Sequence, residues 1–450
     1  MIRDLDPPET LRGQLQRGLG RGYLHVQRHG LDHGADHEVL LHCILHDPRW
    51  DRQVEERASY YAGLALLLDL DVGPVGAAIE TDAREGSELL AADVLMEMAV
   101  RGHARAKSAL RNALHSDGWA HALRALVNAE WSHGTRLLMR DDLSLVAASR
   151  SDEVRSLMSD APSSWREWVS TEPRLQALLD AHTTQNETVW RAPAPTPDTS
   201  MSAAELLRIA EPRNAQRVAN VLSRRSDARS IEAMMDAARA EGEAARRVAC
   251  RALTAQAHPG LLGHVVSSLS MEPAALTAAH RAELVRYLAA LPEGLTLPLA
   301  RDWLNARGSV AMAAEHIFAR HAQPEDRERV EAALGQALIE DDVYRACSMV
   351  EALGGIGDSR SAGVLTDTFV GIPYAYGRHF VLNALRTCEP RVAETLANEA
   401  LWDCQGEVRT QGAHWALQDD ETRARLAVLE RDPFEREDFR RAASERMAGP

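Results

Sequence analysis

Histidines are concentrated near the beginning of the sequence. Six of the chain's 18 histidines fall within 22 residues, with Cys43 and Asp47 among them. Neutral imidazoles bind zinc and other transition metals, and two residues four positions apart share one face of a helix. His42 and His46 have this spacing and are the candidate metal ligands. The six histidines are His25, His29, His33, His37, His42 and His46.

The spacing around these histidines does not fit the two-histidine helix motif of zinc proteases. His37 precedes His42 by five residues, and positions five apart diverge by about 140° around a helix, so the two could not chelate one ion. Gly30 and Gly34 predict loop structure for His37 and for the two histidines before it. We therefore favour incidental surface and partly buried histidines, and keep a metal-dependent activity at His42 and His46 as an alternative.

The next segment, 46–57, is dense in charge around Trp50. Asp47 followed by Pro48 predicts the start of a helix, because proline is tolerated in the first turn and aspartate can cap it. The charges that follow can pair across one helical turn. A solvated, salt-bridged helix start is the favoured interpretation, and a catalytic pair of carboxylates is the alternative.

Nucleophilic catalysis has no recognisable signature in the sequence. Neither a Gly-x-Ser-x-Gly nor a Ser-x-x-Lys motif occurs. Cys250, Cys347 and Cys388 lie among Ala, Val and Leu at helical spacing, which is typical of small core residues. The five cysteines are dispersed without a Cys-x-x-Cys pair, as expected for reduced thiols in a cytosol. We expect no cofactor, and an enzyme is the less favoured interpretation.

Composition and charge limit the classes of partner. The 450 residues carry a formal net charge of −15, which disfavours a protein that coats nucleic acid or an anionic membrane. No apolar run approaches the ~18 residues needed to span a bilayer. The first six residues have no apolar core typical of a secretory signal. The sequence therefore predicts a cytoplasmic protein that does not associate with membranes.

The elements that must position these residues are helices, and they recur in pairs. Apolar spacing with Gly, Pro and Asp breaks places the second helix of each pair near Glu243, His280, Val310, Val343, Tyr376 and Glu407. The steps of roughly 30 to 37 residues match helical repeat arrays. The first helices are predicted at 230–239, 261–270, 297–306, 327–339, 361–369 and 392–402. Five more helices are predicted at 52–70, 88–101, 104–114, 120–129 and 135–145.

One unit carries a recognisable turn between its two helices. Its sequence is Ala352-Leu353-Gly354-Gly355-Ile356-Gly357-Asp358, which resembles the bacterial HEAT-repeat consensus. The glycines permit close approach and a left-handed helix end, and the aspartate can cap the next helix. A phosphate-binding loop is excluded because no strand precedes the glycines and no Gly-Lys-Ser/Thr follows them. The resemblance covers about 212–450, and 36–145 more weakly, and implies an all-α solenoid.

Aligning the units on this turn places an arginine early in several second helices. In HEAT proteins such arginines commonly form ladders with acidic groups of neighbouring repeats, although Ala311 and Ala346 interrupt the pattern here. Arg57 is a weaker match. The predicted ladder consists of Arg246, Arg281, Arg378 and Arg409.

Three regions are predicted along the chain. Residues 1–182 form a degenerate HEAT-like array, and 183–204 form a linker because alternating Pro, Ala and Thr cannot build a helix interior. Residues 205–450 form the second array, whose polar last helix, 436–447, would serve as its terminal cap.

The architecture predicts a scaffold that binds a protein partner along a concave surface. Tyr374 and Tyr376, behind Pro373, could anchor this partner, or alternatively pack against their own turn. The residues expected to face the groove are Arg247, Arg251, His379, Asn383, Thr410 and His414.

The alternative is a nucleic-acid-binding HEAT-like protein, resembling a DNA glycosylase or a DNA clamp. Such a protein needs a basic concave surface with aromatic rings and a carboxylate near the sugar. Arg246, Arg247 and Arg251 form a basic helix face, and Trp402-Asp403 could supply a ring and an acid. Acidic residues are interleaved almost everywhere, which favours the protein partner.

Overall fold

The computed structural model describes residues 5–29, 34–82, 89–149, 195–240, 242–271 and 276–449, together with Trp168, Pro173 and Gln176. Throughout these residues the regular secondary structure is helical, with 25 α-helices and no strand, which confirms the prediction of an all-α fold. Three short 3-10 helices lie at Pro259–Leu261, Pro324–Asp326 and Ser359–Ser361. No helix within the described ranges is both long and apolar enough to cross a lipid bilayer.

The helices are numbered here in chain order. They are α1 Leu11–Arg17, α2 Gly20–His29, α3 Gly34–Leu45, α4 Ala58–Leu67, α5 Gly73–Glu80, α6 Leu90–Val100, α7 Ala104–Ala113, α8 Trp119–His133, α9 Arg140–Ser149, α10 Ala203–Arg208, α11 Ala215–Leu222, α12 Ala228–Arg239, α13 Glu243–Ala255, α14 Leu262–Leu269, α15 Ala278–Ala290, α16 Glu293–Trp303, α17 Ser309–His321, α18 Arg327–Ile339, α19 Val343–Ile356, α20 Ala362–Gly371, α21 Gly377–Cys388, α22 Pro390–Ala400, α23 Gly406–Trp415, α24 Asp420–Arg431 and α25 Glu437–Ala448.

The chain divides into two compact units that do not follow chain order. The first comprises Met1–Trp190, Asp367–Leu382 and Arg391–Pro450, and the second comprises Arg191–Thr366 and Asn383–Pro390. Residues 391–450 belong with the N-terminal residues rather than with 205–366. Residues 183–194 lie outside the described ranges, and Pro195–Ser202 form turns before α10.

The first unit is organised around α6. Ten of its eleven residues are buried and Asp93 is partly buried, as expected for a helix that is packed on nearly all sides. It contacts α4, α5, α7 and α8. Near the other end of the sequence, α25 packs on α23 and α24 and closes a smaller apolar cluster around Phe439 and Trp402.

The second unit repeats one contact pattern. Each second helix packs against the next second helix, α13 on α15, α15 on α17 and α17 on α19. Within the pairs, α12 packs on α13, α16 on α17 and α18 on α19. Aspartate or threonine side chains cap several of these helices by accepting a backbone N–H, as Asp227, Thr277 and Asp342 do.

The turn with the HEAT-like sequence has the predicted geometry. Gly357 ends α19 in the left-handed region with φ 70°, and Asp358 accepts the backbone N–H of Arg360 at 2.9 Å. A Cβ on Gly354 would lie 2.9 Å from the Cα of Ala384, so glycine is needed for this close approach.

The prediction of a solvated helix start at 46–57 is wrong. Residues 46–57 form turns, and α4 begins only at Ala58. Side chains take the backbone N–H groups that a helix would use: Asp51 accepts from Gln53 at 2.9 Å, and Glu55 accepts from Asp51 at 2.8 Å. Arg49, Glu55 and Arg57 are also buried rather than solvated.

The predictions of loop structure at the histidines and of a helix at 135–145 also differ from the structure. His29 ends α2 and His37 lies in α3, so the adjacent glycines do not place these two histidines in loops. His33 lies outside the described residues. The helix expected at 135–145 begins at Arg140.

The close packing of Gly20 against Glu399 in the first unit can be tested by substituting the glycine. A Cβ on Gly20 would lie 2.0 Å from the carbonyl oxygen of Glu399. We expect Gly20→Ala to lower the free energy of unfolding by about 1–3 kcal/mol, measured by urea denaturation.

The control for this prediction is Gly335→Ala in α18. The space at Gly335 is open, with no heavy atom of a neighbouring residue within 4 Å of the added carbon. Alanine should raise the free energy of unfolding there by about 0.5–1 kcal/mol, because it reduces backbone entropy in the unfolded chain. A similar change for both variants would contradict the close approach at Gly20.

Candidate functional site

Two fully buried arginines lie at the centre of the first unit. Arg378 Nε and Nη2 each donate to one carboxylate oxygen of Asp403 at 2.8 Å. Arg57 Nη2 donates to Glu55 Oε2 at 2.9 Å, and all four side chains are at most 1% exposed. Glu55 also accepts the backbone N–H of Ala375 at 2.8 Å. This last hydrogen bond joins the N-terminal segment to a residue 320 positions later.

Cys404 lies between the two guanidinium groups. Arg57 Nη1 donates to its sulfur, and Arg378 Nη2 lies 3.5 Å from the same atom. Burial raises the pKa of Cys404 to about 12, so the neutral thiol is the relevant acceptor. Gly18 has φ 68°, and a Cβ there would lie 2.5 Å from the Cys404 sulfur, so glycine is required.

Backbone carbonyls are the acceptors for a third buried guanidinium, that of Arg17. Arg17 donates to the carbonyls of Asp6, Gly13 and Gly371 at 2.7, 3.0 and 3.2 Å. Burial, followed by the charge of Arg378, lowers the pKa of Arg17. The region is therefore a cationic core neutralised by carboxylates and peptide dipoles.

Arg409 connects this core to an open cleft. Its Nη1 donates to the carbonyls of Asp403 and Cys404 at 2.9 and 2.7 Å, and its other nitrogens bind both oxygens of Glu435 at 3.0 and 2.7 Å. Burial opposes ionisation of Glu435, but the charge and hydrogen bonds of Arg409 outweigh it and lower the pKa of this carboxyl.

The cleft has a volume of about 720 Å³ and lies entirely within the first unit. Its wall is contributed by the segment before α4, by α6 and α8, and by the turn that leads into α25. The polar side chains that line it are Arg49, Glu55, Glu56, Arg57, Ser59, Asp93, Glu97, Arg124, Asn128, Ser132, His133, Arg409, Glu435, Arg436, Glu437 and Arg440.

At the mouth of the cleft, Arg436 is surrounded by carboxylates. Its Nη1 lies 3.1 Å from Glu56 and 2.7 Å from Glu407, and its Nη2 lies 3.0 Å from Asp438. Burial raises the pKa of Glu56. Burial also opposes ionisation of Glu407, but hydrogen bonds from Gln405 and Arg436 lower its pKa.

Elsewhere in the cleft wall, an imidazole pairs with a buried carboxylate. His133 Nε2 lies 3.0 Å from Glu97 Oε1, and Arg101 binds the other oxygen of Glu97. Arg101 also donates to Ser59 Oγ at 2.9 Å and stacks 4.9 Å from the centre of the Phe434 ring. The cleft thus presents donors and acceptors whose charges are largely balanced by one another.

The predicted ladder arginines separate into two kinds. Arg378 and Arg409 are buried and pair with acids 25 and 26 residues further along the chain. Arg246 and Arg281 lie in the second unit and are only partly buried. Arg57, the weaker match, is fully buried beside Arg378 in the same cluster.

The predicted groove residues also differ in accessibility. Asn383 and His414 are exposed, whereas Arg247, Arg251, Tyr376, His379 and Thr410 are partly buried. Tyr374 is only 4% exposed and its ring packs 5.8 Å from that of Trp50, so it does not offer a surface anchor. His379 contacts the Tyr376 carbonyl, and Thr410 donates to the Gly406 carbonyl at 2.9 Å, so part of their polar capacity is used locally.

The ring nitrogens of His42 and His46, the candidate metal ligands, do not converge on one point. The rings of His42 and His46 are stacked 4.2 Å apart with planes 21° from parallel, and His46 Nδ1 lies 3.0 Å from the His42 carbonyl. Nitrogen lone pairs lie in the ring planes, so one ion cannot lie in both of these nearly parallel planes. Burial and the neighbouring His46 lower the pKa of His42.

Sequence reasoning missed most residues of the cleft. Glu97, His133, Glu435 and Arg436 have no motif, and the distances between them along the chain hide their proximity. The one signal in the sequence for this cleft is the charge density around Glu55 and Arg57, a pattern that is also typical of a solvated surface.

The Arg378–Asp403 pair provides a sharp test of the buried cluster. Asp403→Asn would leave a buried guanidinium without its counter-ion, and we expect the free energy of unfolding to fall by about 3–5 kcal/mol. Replacing both partners by Met and Leu should cost less than the single substitution, because no unpaired charge remains. Urea denaturation measures both changes.

A matched control comes from the exposed pair Arg423–Asp420, whose nitrogen–oxygen distance is 2.6 Å. Asp420→Asn should change stability by less than about 1 kcal/mol, because water screens this pair. Equal losses for Asp403→Asn and Asp420→Asn would contradict the role assigned to the buried cluster.

A second prediction concerns how the free energy of unfolding falls at acid pH. Burial alone would raise the pKa of Glu97, but His133 and Arg101 outweigh it and lower this pKa below the ordinary glutamate value. The contribution of Glu97 is therefore full above that value and is lost as the pH falls through the folded pKa. Glu97→Gln should lose less stability than the wild type between about pH 6 and about pH 3. Parallel stability–pH curves would refute this.

No cluster of three or more His, Cys, Asp or Glu side chains suited to a metal ion occurs in the part of the chain that the structure describes. A comparison with protein-family models and with curated proteins finds no match for this chain.

Proposed function

We propose that this chain is a non-enzymatic binding protein built from stacked HEAT-like helical hairpins, which holds a protein partner. The repeated packing of α13, α15, α17 and α19 on one another supports the stacked arrangement. The left-handed helix end at Gly357 and the cap at Asp358 support the repeat type.

The observation that carries the proposal is the open, charge-balanced cleft of the first unit. Its volume of about 720 Å³ suits a few residues of an extended peptide. Arg49, Arg57, Arg409 and Arg436 already pair with carboxylates, so the wall offers directional hydrogen bonds rather than a strong field. Polypeptide supplies the alternating donors and acceptors that such a wall recognises.

A nucleic-acid partner is the alternative, and these same ion pairs disfavour it. Phosphate binding depends on unneutralised Lys and Arg that release counter-ions. At the cleft mouth three carboxylates surround Arg436, which leaves an acidic excess there. The formal net charge of −15 opposes a long polyanion as well.

Of the residues predicted to contact a partner along the groove, the exposed ones remain proposed contacts, and one predicted anchor does not. Asn383 and His414 remain proposed partner contacts because their side chains are accessible. Tyr374 is not among them, since packing on Trp50 uses its ring. The five cysteines are unpaired and buried, which supports a reducing, cytoplasmic setting.

Site-specific photocrosslinking tests the proposal in cells. Glu437 lines the cleft and is exposed, so a benzoylphenylalanine at this position should capture a defined protein on irradiation. Asp420, whose side chain is 99% exposed outside the cleft, provides the matched control position and should capture none. Arg436→Ala should reduce the yield at position 437 at least threefold, an effect of about 0.7 kcal/mol, typical of a polar contact at an interface rim.

The outcome also decides between the two partner classes. Crosslinks that persist after nuclease treatment support a protein partner. A crosslinked product that nuclease removes would replace the proposal with the nucleic-acid alternative. Equal yields at positions 437 and 420 would refute specific binding at the cleft.

A further inference from the structure

A basic surface lies on the second unit of this acidic protein. Arg246, Arg247 and Arg251 project from α13, and Arg286 from α15, around the carboxylate of Glu283. We refer to these four arginines as the basic patch. Helices α13 and α15 pack against each other, which brings the side chains together.

The buried carboxylate holds two of the arginines from beneath. Glu283 Oε1 lies 3.2 Å from Arg247 Nε and 3.7 Å from Arg251 Nε. The Glu283 side chain is 6% exposed, whereas those of Arg247 and Arg251 are 26% and 34% exposed. The guanidinium groups are therefore oriented by a carboxylate on their inner side while part of each remains open to solvent.

The patch carries an excess of positive charge. All four arginines act electrostatically on Glu283, yet burial dominates and raises the pKa of its carboxyl. The exposed Glu243 forms the other ion pair, 3.0 Å from Arg247. Among the residues that the structure describes, these two acids are the ion-pair partners of the four arginines, so two positive charges are left over even when both carboxylates are ionised.

We propose that the basic patch is a docking surface for an acidic segment of the protein partner, with Arg247 and Arg251 each binding an Asp or Glu side chain. The inference rests on the proposed function in taking the partner to be a protein, but it concerns a different surface from the cleft. Arg247 and Arg251 lie one helical turn apart, so neighbouring acidic side chains of one segment can reach both. Arginine forms two-pronged hydrogen bonds with carboxylates, which makes it the suitable receptor.

The surroundings of the patch favour a short acidic peptide. Gln216 accepts from Arg251 Nη1 at 3.4 Å and donates to Asn220 at 2.9 Å, so α11 borders the patch with amides that can bind a peptide backbone. Single-stranded nucleic acid is usually bound with aromatic rings that stack on bases. Screening limits the attraction to about 8–10 Å, so a short acidic segment gains from the patch without meeting the acidic remainder of the chain.

Binding of fluorescein-labelled octaglutamate to the full chain tests the inference directly. Fluorescence anisotropy at low ionic strength should show saturable binding that weakens as salt is added. Arg247→Ala combined with Arg251→Ala should weaken binding at least about tenfold. Arg224→Ala combined with Arg229→Ala removes the same charge at exposed positions outside the patch, and should change the affinity less than about twofold.

Three results would overturn the inference. These are a lack of octaglutamate binding, equal weakening in the two double variants, and tighter patch-dependent binding of a single-stranded oligonucleotide of the same charge. Crosslinking at Glu437 is measured independently. If crosslinking at position 437 persists but octaglutamate does not bind, the inference about the basic patch is wrong and the proposal for the cleft stands. If crosslinking is lost but octaglutamate binds through the basic patch, the proposal for the cleft is wrong and the inference about the patch stands.

Discussion

The structure of the first unit depends on burying two guanidinium groups side by side. A buried charge is tolerated only when it is paired and hydrogen-bonded, so Arg57 and Arg378 require Glu55 and Asp403 in fixed positions. The sulfur of Cys404 accepts a further N–H from Arg57. Gly18 packs against this sulfur at a distance that only a residue without a Cβ allows. Along the irregular path of 47–57, Asp51 and Glu55 accept backbone N–H groups in place of a helix, and Glu55 and Arg57 are buried.

The cleft is a consequence of the same constraint. Arg409 uses its inner nitrogens to bind the Asp403 and Cys404 carbonyls, and its outer nitrogens hold Glu435 at the cleft wall. One arginine thus connects the buried core to the wall of the cleft proposed to bind a partner. The basic patch in the second unit uses the opposite polarity, since there a buried carboxylate orients partly exposed arginines. Both surfaces are preorganised by charges placed beneath them, which would reduce the entropy lost on binding the proposed partner.

What could be predicted from the sequence depended on the range of the interactions. Helices α18 and α19 begin at the expected residues, Arg327 and Val343, because apolar periodicity and caps are local signals. The fate of Arg57 was not predictable in this way, since its partner Cys404 lies 347 residues away. A charged segment has the same local pattern whether it is solvated or buried against distant partners. The HEAT resemblance and the partner remain predictions.

The division of the first unit along the chain has a consequence for synthesis. A ribosome adds about 5–20 residues per second, so roughly 20–70 s separate the emergence of Arg57 from that of Cys404, 347 residues later. During that interval the arginine lacks its distant acceptors, whereas the second unit, which ends at Pro390, receives all of its residues earlier. The first unit is therefore completed only after every residue of the second unit has been synthesised.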